Sequence, residues 1–204
     1  MDATPLRAWS YLTLAELFDG TVPGPAPDDP PEGPIPVARA AAALAAALAG
    51  SGPPDPEFTR LFVNAPGGVP APPYASWYLD GALLGASSAW VADAYRAQGL
   101  DATGAGEPPD YLSAELEFVY FLVRHELAAR STGDAEALAD VLAVEREFIH
   151  DHMARWVPTF VTRLRRATPG PLYAAAADLL LALVADDDQR LAVRCNPAAS
   201  GLVG

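Results

Sequence analysis

The chain of 204 residues is long enough to bury a sizeable core without disulfide or metal staples, and its single cysteine, Cys195, excludes an internal disulfide. A net charge of −13 excludes the clustered cationic surface that nucleic-acid binding needs. The basic residues are all arginines, and a cationic partner suits this acidic chain better than an anionic one.

The opening residues, MDATPLRAWSYL, show no basic segment followed by an apolar run and a small-residue cleavage site, which predicts a reducing, cytoplasmic setting. The most apolar windows, residues 40–50 and 172–185, are too short, or interrupted by Asp178, to cross a bilayer. They read as buried helices.

Strand signals are scarce while helix start and stop signals recur, so the fold is predicted to be all-α. Thr4 and Pro5 read as N-cap and first position of a helix that runs through Phe18 and ends at Gly20. Residues 20–36, GTVPGPAPDDPPEGPIP, hold too much proline and glycine for regular structure and read as a flexible, solvated connector. A second helix covers 37–49, stopped by Gly50, and Asp55 with Pro56 opens a third through EFTRLFV. Residues 67–78, GGVPAPPYASWY, read as a proline-bound loop with three aromatics, ahead of a helix over 88–98. Further helices are predicted over 110–130, 134–155, 157–166 and 171–185, and residues 187–204 read as a frayed tail. Residues 1–204 together read as a single all-helical domain.

The stretch GEPPDYLSAELEFVYFL, residues 106–122, couples a stiff turn to an apolar helix. Pro108 and Pro109 fix their own φ angles and push Glu107 and Pro108 into extended conformations. Asp110 then stands where an N-cap belongs. Leu112, Leu116, Val119, Val123 and Leu127 form one stripe, with Phe118, Phe121 and Leu122 on adjoining faces, so the helix is expected to be central. Tyr74, Trp77 and Tyr78 supply flat amphipathic rings of a kind enriched at recognition surfaces.

These blocks resemble the TorD/DmsD/NarJ family of cytoplasmic maturation chaperones for molybdenum-containing redox enzymes. The resemblance rests on EPPDYL at 107–112, PPYASWYLDGALLGASSAW at 72–90, FIHDHMARWVPTFVTRLRRA at 148–167 leading into LYAAAADLLLAL, and EFTRLFV at 57–63. It implies a helical fold whose N-terminal and C-terminal halves are joined by the proline-rich EPPD loop. It also implies a chaperone, not an enzyme, that needs no cofactor and binds the twin-arginine signal peptide of a molybdenum-containing oxidoreductase before export. Its partners would be that peptide and the apo form of the molybdoenzyme subunit, with no nucleic acid and no membrane insertion. By resemblance, the signal-peptide contacts fall on Tyr74, Trp77, Tyr78, Glu107, Asp110 and Tyr111, the last standing where many members have His. A hinge near residues 100–109 would permit a monomer or a domain-swapped dimer. Carboxylates and aromatics suit such a peptide, because guanidinium groups pair bidentately with carboxylates and an apolar run needs an apolar groove.

On the residues alone, a helical scaffold or ligand-binding protein of unspecified partner stays open. A di-metal carboxylate bundle is the chemical rival, since Glu147 and His150 stand at Glu-x-x-His spacing. The second pair is missing: Leu122 precedes His125 by three residues and Ile149 precedes His152 by three. No phosphate-cradling or nucleophile-elbow motif occurs.

Overall fold

The computed structural model describes residues 3–24, 32–50, 56–101 and 106–195. The expected start at Asp55, together with residues 25–31 of the connector and 196–204 of the tail, lies outside them. The described residues form helices α1 (Thr4–Phe18), α2 (Ile35–Ala49), α3 (Pro56–Phe58), α4 (Ala75–Leu79), α5 (Ala86–Ala97), α6 (Leu112–Thr132), α7 (Ala135–Phe148), α8 (Ala154–Arg166) and α9 (Pro171–Cys195). Two π-helical turns, Thr59–Val63 after α3 and Ile149–Met153 between α7 and α8, complete the set. Among the described residues the only β pairing is an isolated antiparallel bridge between Tyr74 and Tyr111. None of the described helices is long and apolar enough to cross a membrane.

Helix α6 is the centre that its apolar stripe predicts. Leu112, Leu116, Val119 and Val123 are fully buried, and Phe118 and Leu122 nearly so. They pack with Tyr11, Leu14 and Phe18 of α1, Trp156 and Phe160 of α8, and Leu179, Leu180 and Leu183 of α9 in one hydrophobic cluster. Local signals set several boundaries as expected. Asp134 caps α7 by accepting from the Ala137 amide at 3.0 Å. Gly20, at φ +78°, turns the chain out of α1 while its amide meets the Leu17 carbonyl at 3.2 Å. A Cβ there would come within 2.9 Å of the Phe58 ring, so the turn is both left-handed and tightly covered.

Other boundaries differ from expectation. Thr4 is the first helical residue and Ala3 occupies the cap position without a side-chain bond. The proline-bound loop at 67–78 contains the start of α4, whose first amides find acceptors in a distant segment. The predicted break at Trp156 is absent. Instead α7 passes through the π-turn into α8, and the extra residue of such a turn re-phases following side chains by about 100°. The frayed tail from residue 187 is likewise corrected, because α9 continues to Cys195 and its Asp187 is fully buried.

Asp187 is buried because Arg7 meets it. The Arg7 guanidinium donates to Glu126 Oε2 of α6 at 2.5 Å, to Glu145 Oε2 of α7 at 2.6 Å and to Asp187 Oδ2 of α9 at 2.9 Å. Tyr11 adds a hydrogen bond to Asp187 at 2.8 Å, while Arg190 reaches Glu145 at 3.0 Å and Arg130 reaches Glu126 at 2.5 Å. Four helices therefore converge on one cation. Burial opposes the Arg7 charge, yet Asp187, Glu145 and Glu126 hold its pKa well above the usual value. Burial raises the Glu145 carboxyl despite Arg7, whereas at Glu126 the burial penalty is outweighed by Arg7, Arg130 and Arg190.

Candidate functional site

The two proline motifs meet edge to edge. The Leu112 amide donates to the Pro73 carbonyl at 2.8 Å and the Ala75 amide to the Asp110 carbonyl at 3.0 Å, which forms the Tyr74–Tyr111 bridge. Extended backbone on both sides makes this possible: Tyr74 has φ −131°, ψ 126° and Tyr111 has φ −69°, ψ 132°. The prolines stiffen the segments leading into both tyrosines and carry no amide hydrogens of their own to compete.

Asp110 serves this junction, and its expected place as the cap of the core helix is corrected. Tyr111 occupies the cap position of α6, with no side-chain bond there. The Asp110 carboxylate accepts from the Ser76 amide of α4 at 2.7 Å and is fully buried. It caps α4, the short helix that carries Trp77 and Tyr78. The bridge sets the buried first turn of α4 against Asp110, whose carbonyl and carboxylate take the Ala75 and Ser76 amides.

Around the bridge opens a recess of about 600 Å³, lined by Phe58, Phe62, Val63, Val69, Pro72, Tyr74, Trp77, Leu83 and Tyr111, with Asp19, Glu107 and Arg163 as its charged groups. Trp77 is 42% exposed and Val63 57%, so apolar surface faces solvent here. Tyr74 donates to Glu107 Oε2 at 3.0 Å and packs against Tyr111 at a ring separation of 5.4 Å. Burial and the Glu107 bond push the Tyr74 hydroxyl up to about 12, so it stays a neutral donor. The Tyr111 hydroxyl donates to the Phe18 carbonyl at 2.5 Å, and Ser113 to the Ala15 carbonyl at 2.9 Å, tying the end of α1 to the start of α6. A second recess of about 500 Å³ shares Asp19, Glu107 and Tyr111 and adds Asp101, Glu117 and Phe121. Tyr111 thus stands between two largely apolar hollows, the second of which carries carboxylates and no cation.

The structure brings Tyr74, Trp77, Glu107 and Tyr111 together on this recess. Tyr78 points elsewhere, stacking on Trp156 at 5.5 Å, and Asp110 lies beneath the surface. Sequence reasoning missed Asp19, Leu83 and Arg163. Asp19 follows α1 directly, a place marked only by its neighbour Gly20, and Arg163 sits 93 residues from its acceptor, the Pro70 carbonyl. Leu84, exposed and next in sequence to Leu83, adopts φ +58°, a left-handed conformation unusual for leucine.

The rival metal pair is used otherwise. His150 Nδ1 lies 2.5 Å from Asp188 Oδ1, and among the described residues no three His, Cys, Asp or Glu side chains group to hold an ion.

The sequence pattern of the family described as nitrate reductase delta subunit matches residues 31–162, more than half of the chain. The chain is 32% identical to the chaperone protein TorD of Vibrio cholerae over 117 residues, 56% of this chain and 52% of that protein. It is 32% identical to TorD of a Psychrobacter species over 140 residues, 66% of this chain and 60% of that protein. The match spans about half the length of the first of these relatives. A solved structure, described as a candidate redox enzyme maturation protein from Archaeoglobus fulgidus, aligns over 88% of this chain and 92% of its own at 21% identity. Its TM-score of 0.47 is too low to rest anything on. On the strength of the sequence match, the chain belongs to the nitrate reductase delta subunit family, within the wider TorD/DmsD/NarJ group.

Proposed function

We propose that this protein is a cytoplasmic maturation chaperone that binds the twin-arginine leader of a molybdenum-containing oxidoreductase and accompanies the apo subunit until export. One observation carries the reading: an exposed aromatic recess built by the two proline motifs, with Asp19 and Glu107 at the border it shares with the second recess. A paired-arginine peptide with a following apolar run has the complementary chemistry. Its apolar run would lie against Trp77, Val63 and Leu83, and its guanidinium groups would meet Asp19 and Glu107. Asp110, buried beneath the bridge, holds α4 in place instead of touching the peptide. The net charge of −13 would speed encounter with a cationic leader. The family and its relatives named as chaperones support a binding role without catalysis.

Titration calorimetry tests the reading with a peptide carrying paired arginines and an apolar run, and with its paired-lysine variant. The arginine peptide is expected to bind, more weakly as salt rises, and the lysine variant to bind less well. Equal affinity for both, or binding to neither, would remove the leader-peptide assignment.

A further inference from the structure

Behind the recess lies a buried polar pair that the groove reading leaves unused. Glu115, in the first turn of α6, is fully buried, and its Oε1 lies 2.6 Å from His152 Nε2 in the π-turn. Its Oε2 accepts the Trp156 indole N–H of α8 at 3.2 Å. The Trp156 ring in turn stacks on Tyr78 of α4 at 5.5 Å with an interplanar angle of 26°. Tyr78 is the residue next to Trp77, and the amide of Ser76 in the same helix is held by Asp110. His152 is also wedged against Trp90 of α5 at 5.1 Å and Phe148 of α7 at 5.4 Å.

A buried carboxylate is costly, and a π-turn is an uncommon backbone; neither is needed for an apolar helix junction. Their joint effect is geometric. The π-turn re-phases the chain so that His152 turns inward, His152 fixes Glu115, and Glu115 orients the indole on which α4 rests. Four elements other than α6 face this carboxylate: His152 from the π-turn, Trp156 from α8, Tyr95 from α5 and Asp110 from the proline motif. Burial raises the Glu115 pKa, His152 opposes that rise and Asp110 adds to it.

We propose that Glu115 and His152 are positioning residues for the recess, setting the angle of α4, and with it Trp77, through the Trp156–Tyr78 stack. The proposal rests on the reading of the recess as a peptide site. It assigns a role to two residues that never touch the peptide.

The test pairs Glu115→Leu/His152→Leu, which replaces the pair by apolar side chains, with Glu115→Gln, whose amide oxygen still accepts from Trp156. Removing both members of a buried pair avoids leaving an unpaired charge, so the double variant is expected to fold, with a melting temperature lowered by the stranded Trp156 indole N–H. Its affinity for the paired-arginine peptide should fall by about tenfold, the size expected when an aromatic contact is displaced, while Glu115→Gln stays within about threefold of the parent. A purely structural pair would leave the double variant, once folded, binding like the parent, and that result overturns the proposal. A second readout needs no peptide: near-ultraviolet circular dichroism should lose the Trp156–Tyr78 signature in the double variant and keep it in Glu115→Gln. If the parent itself binds no peptide, the groove reading fails, and this signature decides the relay. An unchanged spectrum in the double variant overturns it.

Discussion

Near its start, α1 sends Arg7 into a fully enclosed set of three carboxylates on three other helices, whereas at its end Asp19 faces solvent beside Glu107 and Glu117. The same kinds of side chain do opposite work at the two ends. Inside, each charge has a partner at hydrogen-bond distance and the group fixes how four helices meet. Outside, acids stand beside acids: burial raises the Glu117 pKa, and Asp19 and Glu16 raise it further. Buried charge that is paired fixes how the helices meet, whereas like charge gathered at the surface raises a carboxyl's pKa and is what the proposed cationic peptide would relieve.

Breaking the inner end should have the largest effect. Arg7→Leu leaves three carboxylates short of a cation and is expected to cost about 3–5 kcal/mol, read by urea denaturation at neutral pH. A loss under about 1 kcal/mol would mean that Arg190 and Arg130 alone can neutralise the group.

At the outer end the expected change is in binding. Trp77→Ala removes an exposed ring from the recess, so the melting temperature should barely move while peptide binding weakens by about 1–3 kcal/mol in titration calorimetry. Unchanged affinity would shift the apolar contact to Val63 and Leu83.

The smallest effect tests the like-charge crowding itself. The Glu117 carboxyl is raised above the ordinary 4.5, so the folded protein holds its proton more tightly than the unfolded chain does. Stability from this group is therefore present below 4.5 and is lost as pH rises through the folded-state value. Glu117→Gln should gain a few tenths of a kcal/mol at neutral pH, reduced by solvent screening, and the gain should vanish below about pH 4. A neutral-pH loss would show that Glu117 has an attractive partner.

How far each region could be read in advance follows the same division. The stripe of α6, the cap at Asp134 and the turn at Gly20 are local, and all three stand as their residue types predict. The aromatic block and the EPPD motif were linked in advance only by the family resemblance, which assigns both to signal-peptide binding. Their division of labour was not legible. Asp110 carries the signature of a cap for the helix that follows it, and only the bridge to Tyr74 shows that it caps α4 instead. The apolar stripe of α6 singled out neither Glu115 nor Glu126, yet both are buried, since their partners come from α8, the π-turn and α1.

By itself the sequence determined that this chain would be helical, where most of its helices would begin and end, and that acidic and aromatic residues would gather around two proline motifs. Helix propensity, capping and proline stereochemistry act over a few residues and leave their mark in the order of the letters. The tertiary structure alone decided which charges are buried. The run DDDQR at 186–190 looks like a solvated tail, and it is part of α9 because Arg7, 180 residues earlier, reaches Asp187. A charge can be buried only where a partner waits, and partners so far apart along the chain are brought together by the packing of the whole.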